Sequence, residues 1–172
     1  MAQNLSPAPE LRLDLPTEDD TRSFAESLAA LVAGTPALSA LITLQGDLGA
    51  GKTTFCRHLL RALGVTGRIK SPSYAIVEPY LAQPPGGAAP LAVHHFDFYR
   101  LGDALEFEEA GLRDLVLAPG LKLVEWPERV AGQMPAPDWA LTLKLQPDDS
   151  RQAQIIAGTA SGARWLDRLR PP

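Results

Sequence analysis

Gly46, Gly51, Lys52 and Thr53 occupy the fixed places of a Gly-x-x-x-x-Gly-Lys-[Ser/Thr] pattern within GDLGAGKTT, Gly46 to Thr54. That spacing is a device for holding a polyphosphate. Glycines let successive backbone N–H groups turn inward around an anion, and a helix starting there aims its positive end at the same place. The expected nucleotide contacts are therefore Gly49, Ala50 and Gly51 in the loop and Lys52, Thr53 and Thr54 at the helix start. Lys52 is expected to reach the β- and γ-phosphates as a catalytic charge, and the Thr53 hydroxyl to ligate Mg²⁺.

Phosphoryl transfer also needs carboxylates, to hold the metal and to position water or an acceptor. Two acids follow short apolar runs: Asp97 after LAVHHF, and Glu125 after LKLV. Ligands gather at such strand ends in open α/β sheets. Either acid alone could be a polar strand-end residue; the pair, beside an intact phosphate loop, favours functional roles for both. His94 and His95 are neighbours on one strand and point to opposite faces, so they do not readily share an ion, and packing is the favoured role for both. Cys56, the single cysteine, falls inside the helix after the loop and reads as a small buried apolar residue.

The positioning elements can be traced along the chain. LRLDL (Leu11 to Leu15) alternates like a half-buried strand, after a polar, proline-containing stretch (residues 1–10) expected to be a flexible tail. Thr17 caps a helix whose apolar stripe is Phe24, Leu28, Leu31 and Val32, ended by Gly34 and Pro36. LITLQ (Leu41 to Gln45) is the strand feeding the phosphate loop, and KTTFCRHLLRAL the helix leaving it, closed by Gly64. Ser71, Pro72 and Ser73 form a hydroxyl-bearing turn before a strand expected at Tyr74, Ile76 and Val77. QPPGGAAP (Gln83 to Pro90) is expected to be a flexible hairpin loop, so the strand Leu91 to Asp97 should return antiparallel. GDALEFEEAGLRDLV reads as one or two short helices broken at Gly111, with Glu106, Glu108 and Glu109 on a solvated face. LKLVEW is a buried strand stopped by Pro127; WALTLKL and RQAQIIA pair as an edge hairpin; SGARWLDRL is a last helix. The expected architecture is a three-layer α/β P-loop domain over residues 11–172, with a mixed sheet (parallel core, antiparallel hairpins) and helices on both faces.

Composition limits the partners. The 172 residues are 45% hydrophobic and 21% charged with a net charge of −4, an ordinary globular balance without the basic footprint of a chain that grips nucleic acid directly. No signal-like start and no membrane-length apolar run is present, which points to the cytoplasm. The guanine-selecting Asn-Lys-x-Asp and Thr-Lys-x-Asp patterns are absent, so ATP is favoured by elimination.

GDLGAGKTTF, KSPSYAIVEPY, HHFDFYR and LVEWPER, in this order and spacing, resemble the bacterial TsaE (YjeE) family, P-loop ATPases of tRNA threonylcarbamoyladenosine biosynthesis. The resemblance runs from about Leu11 to at least Arg151. It implies that Lys52 and Thr53 are the phosphate lysine and Mg²⁺ threonine, that Asp97 lies near the γ-phosphate as a Walker-B-like acid, and that Glu125 is the second, Mg²⁺-associated acid with Trp126 beside it. It implies that Ser71 to Tyr74 is a mobile segment, with Ser73 where relatives carry threonine, and that Glu18 and Arg151 touch nucleotide. It further implies ATP and Mg²⁺ as cofactors and two partner proteins, TsaB and TsaD. TsaD transfers the threonylcarbamoyl group to the tRNA adenosine next to the anticodon, and the ATPase supports repeated cycles. Two other readings stay open from the residues alone: a small-molecule kinase, against which the missing arginine-rich lid argues, and a non-hydrolytic module in which ATP only reshapes Ser71 to Tyr74.

Overall fold

The computed structural model describes residues 8–35, 38–102 and 104–169. The expected tail at residues 1–7 and the helix stop at Pro36 lie outside the described residues. Within them the chain runs β1 (Glu10–Leu15), α1 (Glu18–Ala33), β2 (Ser39–Gln45), α2 (Lys52–Ala62), β3 (Val77–Ala82), β4 (Leu91–Asp97), α3 (Ala104–Glu109), α4 (Leu112–Leu117), β5 (Gly120–Glu125), β6 (Trp139–Leu145), β7 (Arg151–Ala157) and α5 (Ala160–Leu169).

The strands form one seven-stranded sheet in the order β1-β7-β6-β2-β5-β4-β3. Its centre is parallel: β2 lies between β5 and β6, and β4 continues beyond β5. Both flanks are antiparallel, β3 on β4 at one side and β6, β7 and β1 at the other. This is the expected mixed sheet. The central strands are apolar along their length because both faces are covered: β5 is buried at every residue, and β2 at all but its ends. One face carries α1, α2 and α5 over Ile42, Leu44, Val93, Leu121 and Leu123; the other carries α3 and α4 over Leu41, Phe96 and Val124.

Local chemistry accounts for the element ends. Thr17 accepts from the Asp20 N–H (3.2 Å) while Asp20 accepts from the Thr17 N–H (2.9 Å), a reciprocal cap that fixes where α1 starts. The pairing of β1 with β7 begins at Glu10 and sets Leu15 opposite Arg151. Glu10 therefore belongs to the sheet and not to the expected tail, and the β6–β7 hairpin is not an edge: β1 covers it, with Leu11, Leu13 and Leu15 facing inward. The strand expected to begin at Tyr74 begins at Val77 instead. Ile76 is left-handed (φ 66°) and its N–H bonds the Pro72 carbonyl at 2.6 Å, so Ser71 to Ile76 coils on itself before the sheet resumes. Pro79 is tolerated in β3 because that strand is an edge. The loop Gln83 to Pro90 holds one short 3-10 turn at Pro85–Gly87, with Gly86 left-handed (φ 81°). Gly111 (φ 67°) divides α3 from α4 as expected.

Candidate functional site

The parallel strands β2, β5 and β4 all end on the same side of the sheet, and each delivers one part of the site. β2 runs into the glycine loop, β5 ends in Glu125, and β4 ends in Asp97, which is in register with Glu125. The two acids are neighbours because adjacent parallel strands end together, not because they are close in sequence.

The loop has the geometry its glycines permit. Gly46, Gly49 and Gly51 have φ values of 139°, 81° and 104°, and a Cβ on Gly46 would run into the Leu143 carbonyl. Gly51 is the residue from which α2 starts, and the Phe55 N–H closes the first turn on its carbonyl at 2.9 Å. Lys52 folds back over the loop and donates to the carbonyls of Gly46 (2.5 Å) and Asp47 (2.9 Å). Its ammonium also lies 3.9 Å from the centroid of the Trp126 ring. Trp126 reaches that position through a left-handed backbone (φ 60°), strain on the order of 1 kcal/mol that the Leu44 carbonyl helps hold by accepting its N–H at 3.2 Å. Burial lowers the Lys52 ammonium from its ordinary 10.5; the acids Glu125, Glu128, Asp97 and Asp47 oppose that shift.

Thr53 donates to Glu125, 2.9 Å from each carboxylate oxygen. Asp97 accepts the hydroxyls of Ser71 (2.6 Å) and Ser73 (2.9 Å) on Oδ2 and the Tyr99 N–H (3.0 Å) on Oδ1. Both carboxylates are almost fully enclosed, which is tolerable only because each has this many donors. Residues from the loop, both acids, Ser71, Ser73, Tyr99, Trp126 and Arg151 line one cleft of about 360 Å³. A pocket of about 70 Å³ adjoins it, walled by Glu18, Thr21, Ala50, Gly51, Thr54, Leu143 and Arg151.

Every residue expected from the sequence to touch nucleotide thus lines one of two adjoining spaces. Gly49, Gly51, Lys52, Thr53, Thr54, Asp97, Glu125 and Arg151 line the larger, and Glu18 and Ala50 the smaller. Arg151 belongs to both because β7 starts beside the P-loop helix, and Glu18 reaches the same edge because β1 pairs with β7. The donor set suits a small hard cation. The Thr53 hydroxyl and the Glu125 carboxylate bring oxygens together at the helix start, the ligand type that Mg²⁺ takes.

Four residues that contribute lie outside the expected contact residues. Tyr99 packs at a tilt against Trp126 (ring centroids 4.9 Å apart), and both rings line the cleft. Ser71 and Ser73, expected as a turn, are hydrogen-bonded to Asp97. His95, expected to pack, has Nε2 at 2.8 Å from Glu125 Oε1, within hydrogen-bond distance. The sequence carries a signal for it: in a strand, residue 95 shares a face with residue 97. His94, on the other face beside Phe96, has the packing role expected of it.

A family profile described as "Threonylcarbamoyl adenosine biosynthesis protein TsaE" matches residues 15–154. The chain belongs to the TsaE family. Among curated relatives, the TsaE of Haemophilus influenzae, called a tRNA threonylcarbamoyladenosine biosynthesis protein, is 39% identical over 122 residues, 71% of this chain and 73% of that one. The TsaE of Bacillus subtilis is 36% identical over 140 residues, covering 81% and 82%. The crystal structure of Bacillus subtilis YdiB superposes with a TM-score of 0.72 at 26% identity, covering 95% of this chain and 96% of that one. All the motif residues from Gly46 to Glu125 fall within the matched span; Glu18 and Arg151 lie near its ends.

Proposed function

We propose that this protein is a Mg²⁺-dependent ATPase of the cytoplasm that supports threonylcarbamoyl modification of tRNA with TsaB and TsaD partners and does not modify tRNA itself. The observation that carries the ATPase reading is the meeting of Lys52, Thr53, Asp97 and Glu125 around one cleft. Membership of the TsaE family supports the pathway. The acidic chain supports a role in which partners hold the tRNA.

In this reading the loop N–H groups and Lys52 bind the phosphates. A phosphate oxygen replaces the Gly46 and Asp47 carbonyls as acceptor for the lysine ammonium. Thr53 and Glu125 would hold Mg²⁺, which when bound neutralises charge on the β- and γ-phosphate oxygens. Asp97 holds the attacking water against the γ-phosphorus. The water oxygen bonds to phosphorus, the bond to the β–γ bridging oxygen breaks, and ADP and inorganic phosphate leave with the water's proton released. Ser71 and Ser73 tie the coiled segment to Asp97, so a change at the γ-phosphate is communicated to the exposed Tyr74. Tyr74 in turn has the Arg100 guanidinium 4.2 Å from its ring centroid.

The test is reconstitution with TsaB and TsaD, measuring phosphate release and modified tRNA with each component omitted. Asp97→Ala and Glu125→Ala should each cut hydrolysis by about 10²-fold, the scale for losing a preorganised charge-stabilising group. Full hydrolysis by the double variant would overturn the assignment. Equal support of repeated turnover by a non-hydrolysable analogue would replace it with a binding module, and a phosphorylated metabolite with a kinase.

A further inference from the structure

We infer that His95 is a positioning residue for the cation site: it fixes which oxygen of Glu125 faces the metal. This rests on the reading of Glu125 as a Mg²⁺ ligand.

β4 and β5 are parallel with Asp97 opposite Glu125, so His95, two residues before Asp97, stands diagonally behind Glu125 on the face covered by α2. Its ring is completely buried and the carboxylate nearly so. Nε2 lies 2.8 Å from Oε1. A carboxylate that holds Mg²⁺ is ionised and only accepts, so on that reading the proton in this bond is on Nε2. Nδ1 faces no hydrogen-bonding partner among the described residues, so the ring's one polar contact is the carboxylate.

The two donors to Glu125 do different things. Thr53 is 2.9 Å from both oxygens and does not distinguish them. It is also the hydroxyl expected to turn to the cation. His95 touches Oε1 alone, and it comes from β4, a strand paired on both sides, rather than from the phosphate loop. If Thr53 turned to a cation, His95 would still hold Oε1, and Oε2 would be the oxygen free of that bond. Cys56, one helical turn after Thr53, brings its sulfur within 4.8 Å of the histidine and carboxylate ligand atoms. Of Cys56 and His95, only the histidine is hydrogen-bonded to Glu125.

The decisive measurement is calorimetric titration with a non-hydrolysable ATP analogue over a series of MgCl₂ concentrations. It compares the wild type with His95→Phe, which keeps a ring but no donor, His95→Gln, which restores an N–H, and Glu125→Ala. Loss of an outer-shell partner of a metal ligand costs about 10- to 100-fold in metal affinity. His95→Phe should therefore need about that much more Mg²⁺ to reach half of the Mg²⁺-dependent gain in analogue affinity. Affinity without Mg²⁺ should stay unchanged, and His95→Gln should recover most of the loss. A wild-type Mg²⁺ response in His95→Phe, where Glu125→Ala has lost it, overturns the inference and leaves the metal role of Glu125 standing. If neither the wild type nor Glu125→Ala responds to Mg²⁺, the metal reading itself fails and takes this inference with it. Nitrogen-15 NMR of the wild-type imidazoles gives a check that needs no variant to fold: His95 should carry its proton on Nε2, and a proton on Nδ1 alone overturns the inference.

Discussion

The two ends of the cleft are built on opposite principles. At the end formed by β4 and β5, Asp97 and Glu125 are buried and fully hydrogen-bonded, on strands from the centre of the sheet. At the other end, Glu18 is exposed and paired with His58 at 3.0 Å, and the Arg151 guanidinium donates to the nearby Asp149 carbonyl at 2.5 Å. A buried end suits chemistry, because charge held in place costs no reorganisation when the reaction occurs. An exposed end suits adaptable gripping of whatever is attached to the phosphates. The acids at one end are enclosed and hydrogen-bonded, and the charged groups at the other reach solvent.

Substitutions at the two ends test that contrast. The largest effect is expected for Lys52→Ala, which removes the one buried ammonium of the cleft and should lower turnover by about 10²–10³; nucleotide titration and steady-state assays measure it. Next, Ser71→Ala or Ser73→Ala strips one donor from the buried Asp97 and should cost about 1 kcal/mol in urea unfolding, against almost nothing for a serine on the surface of α1 such as Ser23. At the exposed end, Glu18→Ala and Arg151→Ala should each weaken nucleotide binding by less than about 1 kcal/mol, shrinking further in high salt. A hundredfold loss for either would break the comparison.

The smallest effect concerns pH. Burial first, and the Lys122 ammonium second, lower His94 below its ordinary 6.5. Just below that pH the unfolded chain binds more protons than the native state, so stability falls as the pH drops through this range. His94→Gln should flatten that acid limb in thermal melts at successive pH values. An unchanged limb would assign the acid sensitivity elsewhere.

Much of this architecture is legible in the amino-acid sequence. Loop, helix and strand-end acids each carry a local signature: glycine spacing for the phosphate loop, apolar runs before Asp97 and Glu125, a capping threonine for α1. What is not legible depends on pairing across the sheet. WALTLKL and RQAQIIA do form a hairpin, but its outer side accepts β1, and no residue within the hairpin announces a third strand. Tyr74 and Ile76 have strand-like side chains, yet Ser71 and Ser73 are bound by an aspartate 26 and 24 residues downstream, and those tertiary bonds accompany the coiled backbone. His95 escapes notice because adjacent histidines on a strand diverge. The same alternation places it beside Asp97, and only the β4–β5 register shows that Glu125 is within its reach.

The ring of Trp126 has a use beyond covering Lys52. Of the chain's three tryptophans, Trp139 and Trp165 pack edge to face on each other, centroids 5.8 Å apart, in the core under α5, while Trp126 alone lines the cleft. The lysine ammonium rests on its indole, and a phosphate that draws the lysine away changes the electric field across that chromophore. The protein therefore carries its own optical reporter in the candidate site. A shift in its ultraviolet emission on adding nucleotide can be read against a silent background pair, without any dye or label.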